Sequence, residues 1–236
     1  MWVVVPAYQE EARIGATLAA LAAQTDRDYH LLVVDNGSTD ATAAIARRFG
    51  AEVLVEDEKG VGCAVDTGFR YAIAHGAELL ARTDADCIPR RRWVAAARAS
   101  LASGAGLVCG RITARRDEHG ILGRAFFATL VALAALFGRL RPAHRGAGFH
   151  APYRMHAGNN MAITAELYLA CGGMPRRPSP TDRLFLNRVR RTTTSITRNR
   201  AMVVENSTRR LRAYGVVATA RWYLGQGSGR LTPDPR

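Results

Sequence analysis

Residues 30–50 read HLLVVDNGSTDATAAIARRFG, and this stretch contains the unit from which the fold is built. "HLLVVD" is an apolar run of strand length, and it stops in turn chemistry at Asn36 and Gly37. Ser38, Thr39 and Asp40 then offer N-cap oxygens to a helix over "ATAAIARRF", which Gly50 terminates. The same unit recurs on either side. Upstream, "WVVVPAY" is an apolar run stopped by proline, and "EEARIGATLAALAAQ" follows with apolar residues at helical spacing and acids in its first turn, where the helix dipole favours them. Downstream, "AEVLVED" predicts a third strand, "GVGCAVDTGFRYAIAHG" a third helix ended by Gly76, and "AELLARTDAD" a fourth strand. Strand alternates with helix through about the first 90 residues. Right-handed crossovers make this an α/β fold with a Rossmann-like, mainly parallel central sheet and helices on both faces.

Ligands of such sheets sit at the carboxyl ends of the strands. The unusual residues cluster there: Pro6 to Glu10 after the first strand, Asp35 to Ser38 after the second, Lys59 to Gly62 after the third, and Asp84-Ala85-Asp86 after the fourth. One ligand could touch all four loops. It is not cradled by a GxGxxG or a GxxxxGK[ST] loop, because neither occurs. Asp35 supplies an acceptor carboxylate suited to a base N–H. Asp84 and Asp86 are two hard oxygen ligands, able to hold a divalent cation and a ribose hydroxyl together. Mg²⁺ and Mn²⁺ prefer one or two protein carboxylates, with phosphates and water completing the shell. On this reading the two acids need no basic partner, since their counter-charge is a metal bound to a diphosphate.

Composition bounds the rest. The 236 residues suffice for one substantial domain, or a domain with an appendage, and 48% hydrophobic with 22% charged residues excludes disorder as the default. Residues 1–86 carry 7 basic against 14 acidic side chains and residues 87–236 carry 26 against 6, so an acidic first part (−7) precedes a strongly basic second part (+20). The second part is therefore expected to face something anionic. Arginines without an interleaved aromatic platform argue against nucleic acid as the partner. Only Lys59 is lysine, which reflects a GC-rich codon bias more than a demand for bidentate contacts. Cys63, Cys87, Cys109 and Cys171 show no CxxC spacing, so a zinc or iron–sulfur site is not expected and a reducing cytoplasmic setting fits. "MWVVVPAY" reads as a strand and not as a signal peptide. "AFFATLVALAALF" (125–137) is shorter than the roughly 20 residues a spanning helix needs. It is expected to be a buried helix, with a helix lying in an anionic membrane interface as the second reading.

"VVVPAYQEEARIGATLAAL", "LLVVDNGSTDATAAIARRFGAEVL", "KGVGCAVDTGF" and "RTDADCIP" together resemble the family 2 glycosyltransferases of GT-A fold. The resemblance is strong through about residue 110. It implies transfer of a sugar from a nucleoside diphosphate sugar, with inversion, using Mn²⁺ or Mg²⁺, and UDP-sugars as the default donors. It also implies that Pro6, Tyr8, Glu10 and Asp35 contact the nucleoside, with Gly62 at the donor, Asp84 near the ribose and metal, and Asp86 on the metal. Residues 1–110 would then form the nucleotide-sugar half of a single domain, and residues 111–236 its acceptor-binding half with a basic C-terminal tail.

In that second half, "GLVCGRITAR" reads as a strand and "RPAHRGAGFHAPYR" as a linker. "HAGNNMAITAELYLACGGMP" is similar to the family's acceptor-side segment, with Gly158, Asn159 and Asn160 in its turn. Thr181-Asp182 stands where the family usually has Glu-Asp. Asp182 is thus the expected general base for the acceptor hydroxyl, while Asp before a helical pattern is also a common N-cap. Asp35 likewise has an Asx-turn reading. His156 fits either a metal ligand or a structural or acceptor-contacting histidine, and Lys59 either a phosphate contact or a surface lysine. Arg221-Trp222 ends a pattern like the QxxRW of processive synthases, but Ala218 replaces its Gln, which points to a non-processive enzyme. Arg221 could still neutralise the leaving diphosphate. The expected setting is the cytoplasm or the cytoplasmic face of a membrane, and the acceptor class stays open.

Overall fold

A computed structural model describes residues 1–140, 148–153, 157–177, 181–209, 213 and 215. In chain order the elements are β1 (Trp2–Ala7), α1 (Ile14–Ala22), β2 (His30–Asp35), α2 (Thr42–Arg48), β3 (Glu52–Val55), α3 (Val61–Ala74), β4 (Leu79–Thr83), β5 (Ile88–Pro89), α4 (Trp93–Ala102), β6 (Leu107–Ala114), α5 (Ile121–Leu140), β7 (Asn160–Thr164), α6 (Ala165–Ala170), α7 (Thr181–Thr192) and β8 (Ile196–Asn206). The four expected strands form one side of an eight-stranded sheet of order β3-β2-β1-β4-β7-β6-β8-β5. They run parallel, with Ala7 opposite Asp35 and Asp35 opposite Val55, so their carboxyl ends line up as the alternation requires. β7 then joins β4 antiparallel, placing Asn160 opposite Thr83. β6 is antiparallel to β7 and parallel to β8, and β5 closes the edge antiparallel to β8.

Alternation of side chains along the strands divides the core in two. Val3, Val5 and Val33 pack with Ile14, Leu18 and Leu21 of α1 and with Trp93, Val94 and Leu101 of α4. Val4, Leu32 and Val34 pack on the other face with Val65 and Phe69 of α3 and with Phe185, Leu186 and Val189 of α7. Each such fully buried side chain contributes roughly 1.5–3 kcal/mol.

Four expectations change. α1 starts at Ile14, not at the acids: Glu10 and Glu11 lie in the preceding turn, where the Glu10 carbonyl accepts from the N–H groups of Arg13 and Ile14. Of the three cap candidates before α2 only Asp40 accepts the Thr42 N–H (3.0 Å), while Ser38 and Thr39 accept from the backbone and side chain of Gln9. β5, α4 and β8 were not legible. α4 is an alanine-rich stretch with a weak apolar stripe, and β8 begins with the polar "TRNR".

The fourth change concerns α5. The expected buried helix of thirteen residues is a 20-residue helix whose only buried residue is Gly138. Its large apolar side chains stay outside both core clusters, because α1 to α4, α6 and α7 already cover the sheet.

Candidate active site

The site is assembled where β4 ends. Arg82, the penultimate residue of β4, has a side chain only 1% exposed, and its guanidinium forks to two acids. Nε and Nη2 donate to the Asp84 carboxylate at 3.0 and 3.4 Å, and Nη1 donates to Asp182 Oδ1 at 2.8 Å. The planar fork of arginine suits such bidentate work. It brings Asp182, on the first turn of α7, beside Asp84 in the turn that follows β4. Asp182 therefore sits inside the helix and not ahead of it, so it is not a simple N-cap.

The idea that Asp84 and Asp86 have no basic partner is thereby corrected. Arg82 holds Asp84, and Arg209 reaches Glu10 at 2.6 Å and Asp86 at 3.5 Å. The physical reason is the density of acids at a half-buried edge, where unpaired carboxylates would be costly. Even so, burial, opposed by Arg82 and reinforced by the charges of Asp86 and Asp182, pushes the Asp84 carboxyl up to about 6. Arg115 donates to the Asp86 carbonyl at 3.1 Å and fixes the turn that carries it. Neither arginine partner carries a sequence signal. Arg82 reads as an ordinary strand residue, and Arg209 as one more arginine in a basic tail.

The turn expected on the acceptor side lies directly against this cluster. A Cβ on Gly158 would stand 2.1 Å from the Asp182 carboxyl carbon, so glycine is what lets that carboxylate sit where it does. Asn159 donates to Cys87 Sγ at 3.4 Å, and its Oδ1, like Thr83 Oγ1, is buried without a partner among the described residues. Asn160 departs from expectation. It is fully buried, accepts from Trp93 Nε1 at 2.8 Å and donates to the carbonyls of Arg111 and Met202. Its amide ties α4, β6 and β8 together and faces no acceptor.

On the nucleoside side, Pro6 pairs with Val34 in the β1–β2 ladder, and Tyr8 follows with the Lys59 ammonium 4.4 Å from its ring centre. Lys59 also donates to the carbonyls of Asn36 and Gly37, so it braces the second loop and is not a loose surface lysine. Asp35 is 5% exposed and accepts the Ser38 N–H at 3.2 Å, so the turn reading and a ligand reading coexist. Glu10 is equally buried beside Arg209. Gly62 packs against α7, where an added Cβ would meet the Pro175 carbonyl at 2.3 Å and Thr181 Cγ2 at 2.7 Å. Asp66 takes the Tyr168 hydroxyl at 2.7 Å and Arg70 at 2.9 Å, joining α3 to α6. His156, Arg221 and Trp222 lie outside the described residues.

Four strand-end loops thus open on one edge of the sheet, and the loops after β1 and β4 meet the first turn of α7 in a carboxylate cluster. The profile of glycosyl transferase family 2 matches residues 2–161. The chain belongs to that family. An uncharacterized glycosyltransferase of Mycobacterium tuberculosis is 38% identical over 143 residues, which is 61% of this chain and 60% of that one. The family 2 chain therefore spans about 60% of the length of this relative. Among solved structures, it resembles the mannosyltransferase PcManGT of Pyrobaculum calidifontis in complex with GDP-mannose and Mn²⁺, with a TM-score of 0.68 and 24% identity over 95% of this chain and 61% of that one. It also resembles glucosyl-3-phosphoglycerate synthase of Mycobacterium tuberculosis with Mn²⁺, UDP and product, with a TM-score of 0.62 and 22% identity over 96% and 80% of the two chains. The expected GT-A fold is the one observed.

Proposed function

We propose that this family 2 chain is a metal-dependent, non-processive glycosyltransferase that moves a sugar from a nucleoside diphosphate sugar to an acceptor hydroxyl, with inversion. The observation that carries the reading is the Arg82 bridge, which holds Asp182 beside Asp84 at the edge where the sheet's ligands sit. UDP-sugars are the favoured donors, with GDP-sugars the next candidates, since structural relatives are complexed with UDP or with GDP-mannose. Pro6, Tyr8, Glu10 and Asp35 would line the nucleoside, and Gly62 the donor's flank.

Asp84 and Asp86 would hold the metal, and their chemistry fits it. Their side chains are 29% and 18% exposed, both offer hard oxygens, and no group of three His, Cys, Asp or Glu side chains competes among the described residues. A Mn²⁺ or Mg²⁺ that keeps phosphate and water in its shell suits two carboxylates. When bound, the ion supplies positive charge for the departing diphosphate. Asp182 takes the proton of the acceptor hydroxyl as its oxygen bonds to the anomeric carbon. The bond from that carbon to the diphosphate oxygen breaks, and its electron pair leaves with the nucleoside diphosphate. Arg82 positions Asp182 for this, and Gly158 and Asn159 border the space the acceptor would enter. Arg209, with Arg221 as expected from sequence, would offset the diphosphate charge. The buried thiols of Cys63, Cys87 and Cys171 suit a cytoplasmic setting, and no nucleic acid partner is implied.

The test is release of UDP or GDP from nucleotide sugars with Mn²⁺ across a panel of hydroxyl acceptors. Asp182→Asn should lower turnover by roughly 10²–10⁴-fold while leaving nucleotide affinity intact. Release unaffected by that change removes Asp182 as base, and no release from any nucleotide sugar defeats the reading as a whole.

A further inference from the structure

Four buried side-chain polar atoms have no hydrogen-bond partner among the described residues, and two of them, Thr113 Oγ1 and Arg124 Nε, lie on one groove away from the carboxylate cluster. This groove of about 440 Å³ runs between α5 and the strands β6 and β8. Ala128, Val131 and Ala132 of α5 make an apolar wall, and Arg111, Arg124 and Arg198 bring three guanidiniums to it. None of the three arginines has an ion-pair partner among the described residues. Three forked cations and an unpaired hydroxyl beside a hydrocarbon wall are complementary to an amphiphilic anion: a phosphate group that carries an acyl chain.

The outer face of α5 points the same way. Leu122, Phe126, Leu133, Leu136, Phe137 and Leu140 are 86%, 45%, 45%, 52%, 57% and 54% exposed. At 3.6 residues per turn they fall within an arc of about 100°, and no other element among the described residues packs on it. The helix has 20 residues, and an 18-residue window within it has a mean hydropathy of 2.0, enough to cross a bilayer by length and composition. Topology forbids the crossing. β6 precedes α5 and β7 follows it, yet the two strands pair directly, Leu107 with Ile163, Val108 with Ala162 and Cys109 with Met161. A single crossing would place paired strands on opposite sides of the membrane. An apolar helix that cannot cross, and that sits on the part of the chain carrying +20, has one arrangement left at a bilayer: flat in the interface.

We propose that α5 lies in the interfacial plane of an anionic bilayer, its outer face among the acyl chains, with the phosphate of a membrane phospholipid seated between Arg111, Arg124 and Arg198. This docking is independent of which sugar is transferred, and of whether transfer occurs at all.

Flotation of the full chain with vesicles tests it, using phosphatidylcholine alone and phosphatidylcholine with roughly 30 mol% phosphatidylglycerol. The wild type should float with the anionic vesicles. Leu133→Asp/Leu136→Asp should lower the partition coefficient at least roughly tenfold. Arg124→Gln should lower binding to anionic vesicles severalfold and leave the weak binding to neutral ones unchanged. Both changes sit on an exposed helix, and circular dichroism melts matching the wild type establish that the fold is intact. Four results overturn the proposal: equal binding to both vesicle types by the wild type, undiminished binding by the aspartate double variant, binding of inorganic phosphate at Arg124 without vesicle association, or a concentration-dependent dimer that ignores vesicles.

Discussion

Gly158→Ala separates the geometry of the proposed base from the stability of the fold. The new Cβ would lie 2.1 Å from the carboxyl carbon and 2.1 and 2.2 Å from the carboxylate oxygens of Asp182. Ordinary contact needs about 3.4 Å or more, so the carboxylate must retreat by about 1 Å. What gives way is the end of a side chain, not backbone, so the fold should survive. The retreat stretches the 2.8 Å bond from Arg82 Nη1 to Asp182, while the bonds to Asp84 remain. One weakened charged hydrogen bond costs about 1–3 kcal/mol. For a chain of this size that lowers the melting temperature by roughly 2–4 °C per kcal/mol. Activity should fall much further, since a 1 Å misplacement of a reacting group can cost roughly 100-fold in rate. The assay is nucleoside diphosphate release at saturating donor, alongside thermal melting and nucleotide titration. We expect turnover down by about two orders of magnitude, nucleotide affinity unchanged and a modest loss of melting temperature. Turnover within twofold of wild type, with a matching melt, would refute the placement of Asp182 as the base.

Asn160→Ala should destabilise the chain by roughly 1–3 kcal/mol in thermal melts, since it orphans the buried Trp93 N–H, yet leave nucleotide affinity unchanged; a selective loss of binding would return Asn160 to the site. Arg209→Ala removes a cation 3.5 Å from Asp86, so Mn²⁺ titrated without nucleotide should bind several-fold more tightly, and weaker binding would contradict the competition. The pH dependence follows from Asp84, whose folded carboxyl titrates near 6 against an ordinary 3.8. A raised acid stabilises the fold in its protonated form, a contribution complete below the ordinary value and lost as pH rises through about 6. Metal needs the charged form, so Mn²⁺ affinity should climb as pH rises through about 6 and level off above 7, and Asp84→Asn should flatten that climb. A profile in Asp84→Asn as steep as in wild type would assign the titration elsewhere.

The parallel half of the sheet was legible because each strand carries a short apolar run and two of the helices between them have a marked end, at Gly50 and Gly76. The carboxylates at the strand ends were legible for the same reason: a loop after a buried strand can only open at the sheet edge. What escaped was long-range pairing. Arg82 looks like a strand residue until α7 brings Asp182 to it, and Arg209 meets Glu10 from 199 residues away in sequence. Asn160 resembled a ligand because a Gly-Asn-Asn turn near a site is polar, but its amide is used up inside the sheet. α5 was misjudged because apolar periodicity reports that a face wants covering and not what covers it.

The central claim is that Asp86 and Asp84 hold a metal that carries a nucleoside diphosphate. Calorimetric titration of UDP and of GDP, with and without Mn²⁺, into wild type and Asp86→Ala tests it most directly. One nucleotide should bind, only with Mn²⁺, and its binding should disappear in Asp86→Ala. Metal-independent binding, or binding that Asp86→Ala leaves intact, would contradict it.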